Sequence, residues 1–160
     1  MKIKKLNLII LFIITSFLVL FFIVKNNTNK IYLSDKYYNN GDFINITSNE
    51  LEKLDNDTYI LYIYNNYCSF TVPCEDIFKE YMEKYNIDFI SMKYEEFKKT
   101  TYHNKIKYAP SIIIISKGKI IDYLDPEKDS DINKYQDITE FTSWLNKHIM
   151  MNKQVRCNDK

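Results

Sequence analysis

A chain of 160 residues has room for one ordinary domain and little else. Its formal net charge of +1 gives no reason to look for a polyanionic partner, so no nucleic acid is expected. Asn, Lys, Ile and Tyr are used so heavily that a single Tyr or Asn means little by itself.

The first segment with a clear meaning is "LNLIILFIITSFLVLFFIV", residues 6–24, an apolar run of 19 residues broken only by Asn7, Thr15 and Ser16. As a helix it would reach roughly 28 Å, close to the hydrocarbon thickness of a bilayer. Lys2, Lys4 and Lys5 would also suit a secretory signal. The run is longer than a signal core, however, and no small-x-small cleavage pattern follows it. An uncleaved anchor over residues 1–25 is therefore expected. The basic flank at the N-terminus places the rest outside the cytoplasm, giving a single-pass cell-membrane protein with an extracytoplasmic C-terminal domain. Disulfides persist in that compartment. The reversed topology would leave the cysteines reduced.

Residues 26–41 are polar and Asn-rich and read as a tether. From Phe43 the texture changes. A short strand is expected at 43–46, followed by a helix start in which Thr47 and Glu50 have capping-box spacing. "TYILYIYNN", residues 58–66, is nearly continuous in apolar and aromatic residues, as in a strand buried on both faces.

"YCSFTVPC" comes next, with Cys68 and Cys74 separated by five residues and Pro73 before the second cysteine. "CEDIFKEYMEKYN" then gathers Ile77, Phe78, Tyr81, Met82 and Tyr85 on one helical face, and Glu75 and Asp76 suit the start of that helix. Residues 87–94 read as a strand. Residues 95–107 read as a short helix plus loop. A hairpin follows, with an apolar run at 112–115, a turn around Lys117 and Gly118, and a returning strand at 120–123. "PEKDSDINKYQ" reads as a charged insertion. The final amphipathic helix starts at Asp137 and Glu140 and carries Ile138, Phe141, Leu145 and Ile149 on one face. The domain is thus expected over residues 42–151, with a polar tail at 152–160. Strands alternating with helices and ending in a hairpin imply an α/β fold whose mixed sheet has helices on both faces.

In this order the pieces resemble the thioredoxin family over residues 42–150. The first strand and helix, "ILYIYNNYC", an aromatic Tyr67 before the first cysteine, Pro73 before the second, "KYAPSIII" and the glycine turn in "SKGKII" each match a landmark. The resemblance implies a cis Ala109–Pro110 bond facing the active site. It also implies substrate contacts from Tyr67, Pro73, Ala109 and Pro110, and a Cys68/Cys74 pair that exchanges disulfides with protein substrates. Two departures stand out. Most redox members have two residues between the cysteines, and thioredoxins proper carry a buried proton-moving acid where this chain has Tyr62.

A thiol-disulfide exchanger needs an attacking thiolate, a resolving thiol and access. The family pattern makes Cys68 the attacker and Cys74 the resolver. If Pro73 opens the helix, its dipole favours a thiolate at Cys74, while Glu75 and Asp76 oppose one. The nucleophile therefore stays open. No cofactor is implied beyond a possible membrane redox partner. Zinc is not expected, because only two cysteines are close, His103 and His148 are distant in sequence, and a structural site wants four ligands. Both histidines read as surface or helix-face residues, Trp144 as core or rim, and Cys157 as a leftover thiol. The competing function is a thioredoxin-fold binding or transport-accessory module with a static disulfide.

Overall fold

The computed structural model describes residues 30–65 and 73–151. The expected anchor, Tyr67, Cys68 and Cys157 lie outside the described residues. Among the described residues, no helix is long and apolar enough to cross a membrane.

Five strands form one mixed sheet: β1 (Phe43–Asn45), β2 (Thr58–Tyr64), β3 (Phe89–Lys93), β4 (Ser111–Ser116) and β5 (Lys119–Leu124), in the order β1-β3-β2-β4-β5. β3 runs parallel to both β1 and β2, while β4 is antiparallel to β2 and to β5. The central position of β2 explains its unbroken apolar run, since every residue from Thr58 to Ile63 is buried. The β4–β5 hairpin turns through Lys117 and Gly118, both at positive φ, which matches the twist of the flanking strands.

The helices are α1 (Ser48–Leu51), α2 (Cys74–Tyr85), α3 (Tyr94–Phe97), α4 (Asp129–Ile132) and α5 (Ile138–His148). Thr47 and Glu50 form the expected capping box at α1, which stays short and continues as a 3-10 turn. Asp137 caps α5 by accepting from the amides of Thr139 and Glu140. α2 buries Ile77, Phe78, Tyr81 and Met82, and α5 buries Phe141, Trp144 and Leu145. The two helices meet through rings, with Phe141 lying 4.9 Å from Phe78 and 5.3 Å from Tyr81. Trp144 donates its indole N–H to Asp122, which also meets His148 at 2.9 Å.

Two expectations change. The described part of the supposed tether is packed onto the domain: Leu33 and Tyr37 are buried, and Ile31 pairs with Ile149 as a parallel bridge. Asn-rich composition hid this, because two apolar side chains in the right places are enough to dock a polar segment. The "charged insertion" likewise folds back as α4 and a 3-10 turn. Its Tyr135 is fully buried, with its hydroxyl donating to the carbonyl of Leu124 at 2.7 Å.

Candidate active site

Strand β2 delivers the chain to the cysteine segment and α2 receives it, so the two ends of that segment fix the site. Pro73 is the exposed N-cap of α2, and Cys74 is its first residue and is 1 % exposed. Proline suits this position because its missing N–H would have no helical partner there. Cys74 thus lies where the unpaired amides of the first turn present positive charge, but out of water.

Antiparallel pairing of β4 with β2 sets Ser111 against Ile63. The segment just before β4 therefore reaches the same end of β2. There the Ala109–Pro110 bond is cis, as the resemblance implied. Pro110 is buried, Ala109 half-buried, and Tyr108 is 50 % exposed beside them. Asn65, one residue past β2, donates its side-chain amide to the Ala109 carbonyl at 3.3 Å, tying the start of the cysteine segment to the proline loop.

The sulfur of Cys74 has a partner that the sequence left without a role. The Tyr62 hydroxyl lies 3.6 Å from Sγ, in hydrogen-bond range for sulfur. Tyr62 points toward α2, with its ring 5.1 Å from Phe78 and 5.4 Å from Phe43. A phenol thus meets the thiol from the strand position where thioredoxins proper carry the acid. Tyr135 is the residue that sequence reading missed. Burial first, and then the neighbouring Cys74, pushes its phenol well above the ordinary tyrosine value, while a hydrogen bond with Ser111 acts the other way. Only its place between two charged stretches hinted at burial, and a lone Tyr is a weak signal in a Tyr-rich chain.

Beside Tyr62 opens a cavity of about 200 Å³ lined by Phe43, Asn45, Tyr62, Tyr64, Glu75 and Ser91. Asn45 accepts from the hydroxyls of Ser91 at 2.7 Å and Tyr64 at 3.3 Å. Among the described residues, no three His, Cys, Asp or Glu side chains gather as metal ligands. Of the expected site residues, the structure brings Pro73, Cys74, Ala109 and Pro110 to one end of the sheet. The arrangement can shelter a thiol, hold it next to a hydroxyl, and present a shaped loop beside it.

No family model matches the sequence, and no curated protein matches it. Among solved structures, it is similar to thioredoxin from Schistosoma mansoni, at 20% identity over 68% of this chain and 97% of that one, with a TM-score of 0.47. A thioredoxin from Nicotiana alata is 16% identical over 57% of this chain and 87% of its own, with a TM-score of 0.44. Spinach chloroplast thioredoxin f is 14% identical over 60% and 85%, with a TM-score of 0.43. The chain's own strand order, its two antiparallel pairings after a parallel core, and a cis-proline entering β4 make this domain thioredoxin-like in fold.

Proposed function

We propose that this protein is a membrane-anchored, extracytoplasmic thiol-disulfide oxidoreductase that acts on protein disulfides through Cys68 and Cys74. The observation that carries this reading is the placement of Cys74: first residue of α2, sheltered from solvent, at the sheet end that also holds the cis-proline loop. A sheltered thiol at that position suits the resolving role. In the reducing direction, Cys68 thiolate attacks a substrate disulfide and releases one substrate thiolate. Cys74 thiolate then attacks the Cys68 sulfur and releases the other, leaving a Cys68–Cys74 disulfide and a substrate reduced by two electrons. A membrane donor would restore the dithiol. In the oxidising direction every step reverses, and an acceptor is needed.

The N-terminal segment docks at the opposite pole. Ser34 donates its amide to Thr58, the first residue of β2, whereas the site lies past the last.

Cys68→Ser and Cys74→Ser are each expected to abolish turnover, and Cys74→Ser to accumulate mixed disulfides with substrate proteins in intact membranes. Undiminished turnover in both variants would sink the reading. The second reading, a binding or accessory module with a static disulfide, draws on the same burial of Cys74. It expects no trapped substrate. Titration against thiol buffers separates the two: a potential between about −270 and −120 mV marks an exchanger, and one below about −300 mV a staple.

A further inference from the structure

We propose that the basic rim formed by Lys93, Lys105 and Lys107 beside the cis-proline loop docks an acidic stretch of the protein substrate, one that lies on a single side of its cysteine. The inference deepens the exchanger reading above and rests on it. Residues 93–107 hold five lysines and two glutamates in a chain whose net charge is only +1, so this segment carries a positive excess that the rest of the chain offsets. The two glutamates leave most of it in place. Glu95 pairs with Lys98 at 2.6 Å and Glu96 pairs with Lys99, which occupies two of the five lysines. Lys93, Lys105 and Lys107 are exposed, and among the described residues none of them lies within ion-pair distance of a carboxylate.

Their positions put them at the rim of the site. Lys93 ends β3 and stands in register with Tyr64, the last residue of β2, from which the chain enters the cysteine segment. Lys107 lies two residues before Ala109, whose bond to Pro110 is cis. The Tyr94 hydroxyl donates to the Lys107 carbonyl, so a single side chain spans from the neighbour of Lys93 to Lys107. The loop carrying the lysines is also fixed before any partner arrives. Ile106, only 2 % exposed, anchors it between Lys105 and Lys107, and the amides of Lys105 and Ile106 donate to the Tyr102 carbonyl at 3.0 and 3.1 Å. The His103 ring nitrogen Nδ1 lies 3.1 Å from the Ile106 carbonyl oxygen. Docking there costs little loop ordering, and charge complementarity at such a rim raises the rate of encounter. Glu75 and Asp76 open α2 and repel a peptide that is acidic throughout, which is why the occupant is acidic on one side only.

The test uses the reduced full chain in non-ionic detergent and short peptides whose single cysteine is disulfide-linked to a chromogenic aromatic thiol. Attack by the Cys68 thiolate on the peptide sulfur forms the mixed disulfide, breaks the peptide's S–S bond and releases the aromatic thiolate, the better leaving group, which is read by absorbance. The rate is taken as the part lost in Cys68→Ser. The peptides carry a run of aspartates or of lysines, on the N-terminal side of the cysteine in one pair and on the C-terminal side in the other. At about 0.01 M salt, where screening reaches about 30 Å, the aspartate peptide of one pair is expected to react roughly tenfold faster than its lysine counterpart, and at about 1 M salt the two should converge. The double variant Lys93→Glu, Lys107→Glu should reverse that order. A damaged site would slow both peptides and leave their order as it was. Equal rates at low salt in both pairs, or an order unchanged in the double variant, overturns the docking surface and leaves the exchanger standing. Equal rates together with lysines shielded from acetylation by vesicles of anionic phospholipid would assign the rim to a lipid surface, and also overturn the proposal. Without any Cys68-dependent release the exchanger reading falls by itself. The rim is then judged by fluorescence anisotropy of the same peptides with serine in place of cysteine: tighter binding of the aspartate form, lost in the double variant, upholds it, and equal binding overturns it.

Discussion

Asp88 shows how one side chain holds a segment that composition alone marks as loose. Its carboxylate is 3 % exposed and accepts from three consecutive amides, those of Asn40, Gly41 and Asp42, at 3.1, 2.8 and 2.9 Å. Its own amide donates to the carbonyl of Tyr37. Gly41 is required at the centre of this grip: its φ is +82°, and a Cβ there would come within 2.8 Å of the Met82 carbonyl oxygen. Asp88→Ala leaves three inward-facing donors without their acceptor, so a loss of about 3 kcal/mol is expected in urea unfolding. Asp88→Asn keeps one carbonyl oxygen in place and is expected to lose less than half as much. Equal losses in the two variants would mean that the amides are not what Asp88 serves. Tyr62 teaches a related lesson, because one hydroxyl on the central strand lies within hydrogen-bond range of the Cys74 sulfur.

Among the elements, α3 and α1 are joined by a carboxylate whose titration has a definite sign. Glu96 accepts from the amide and hydroxyl of Ser48 at 3.2 and 2.9 Å and pairs with Lys99. The Lys99 ammonium first, then Ser48, hold its carboxyl down at about 2. An unfolded Glu titrates near about 4.3, so the stabilisation is full above about pH 4.5 and is lost as pH falls toward 2. The difference in Tm between the native protein and Glu96→Gln should therefore be largest near pH 6 and shrink through that window. A difference constant from pH 6 to pH 2 would refute the linkage.

The longer elements were legible because each rests on a local signal. β2 shows an apolar run, α2 and α5 show helical faces, and the hairpin shows a glycine turn. What stayed hidden depended on distant contacts. Tyr135 gains its role only when α4 folds over the end of β5, and Tyr62 only when α2 brings Cys74 beside it. The cis bond at Ala109 was expected from the resemblance, not from the residues themselves.

At the scale of the whole molecule, the domain begins before its first strand. Ile31 exchanges backbone hydrogen bonds with His148 and Met150 at the end of α5, at 2.8 and 2.7 Å. Ser34 reaches β2, and Tyr37 reaches the start of β3. The segment thus laces the last helix to two core strands at the pole away from the site. A chain starting at residue 42 would retain all five strands and α1 to α5 but lose the 3-10 turn at Asp35–Tyr37 and the burial of Leu33 and Tyr37, worth roughly 1.5–3 kcal/mol each. It would also strand the Asp88 carboxylate beside two fewer donors, since Asn40 and Gly41 are removed. For a domain of this size such a loss lowers Tm by roughly 15 °C or more relative to a chain starting at residue 30. Equal melting of the two fragments would show that residues 30–41 rest on the fold without supporting it. A large difference would make them part of the folding unit.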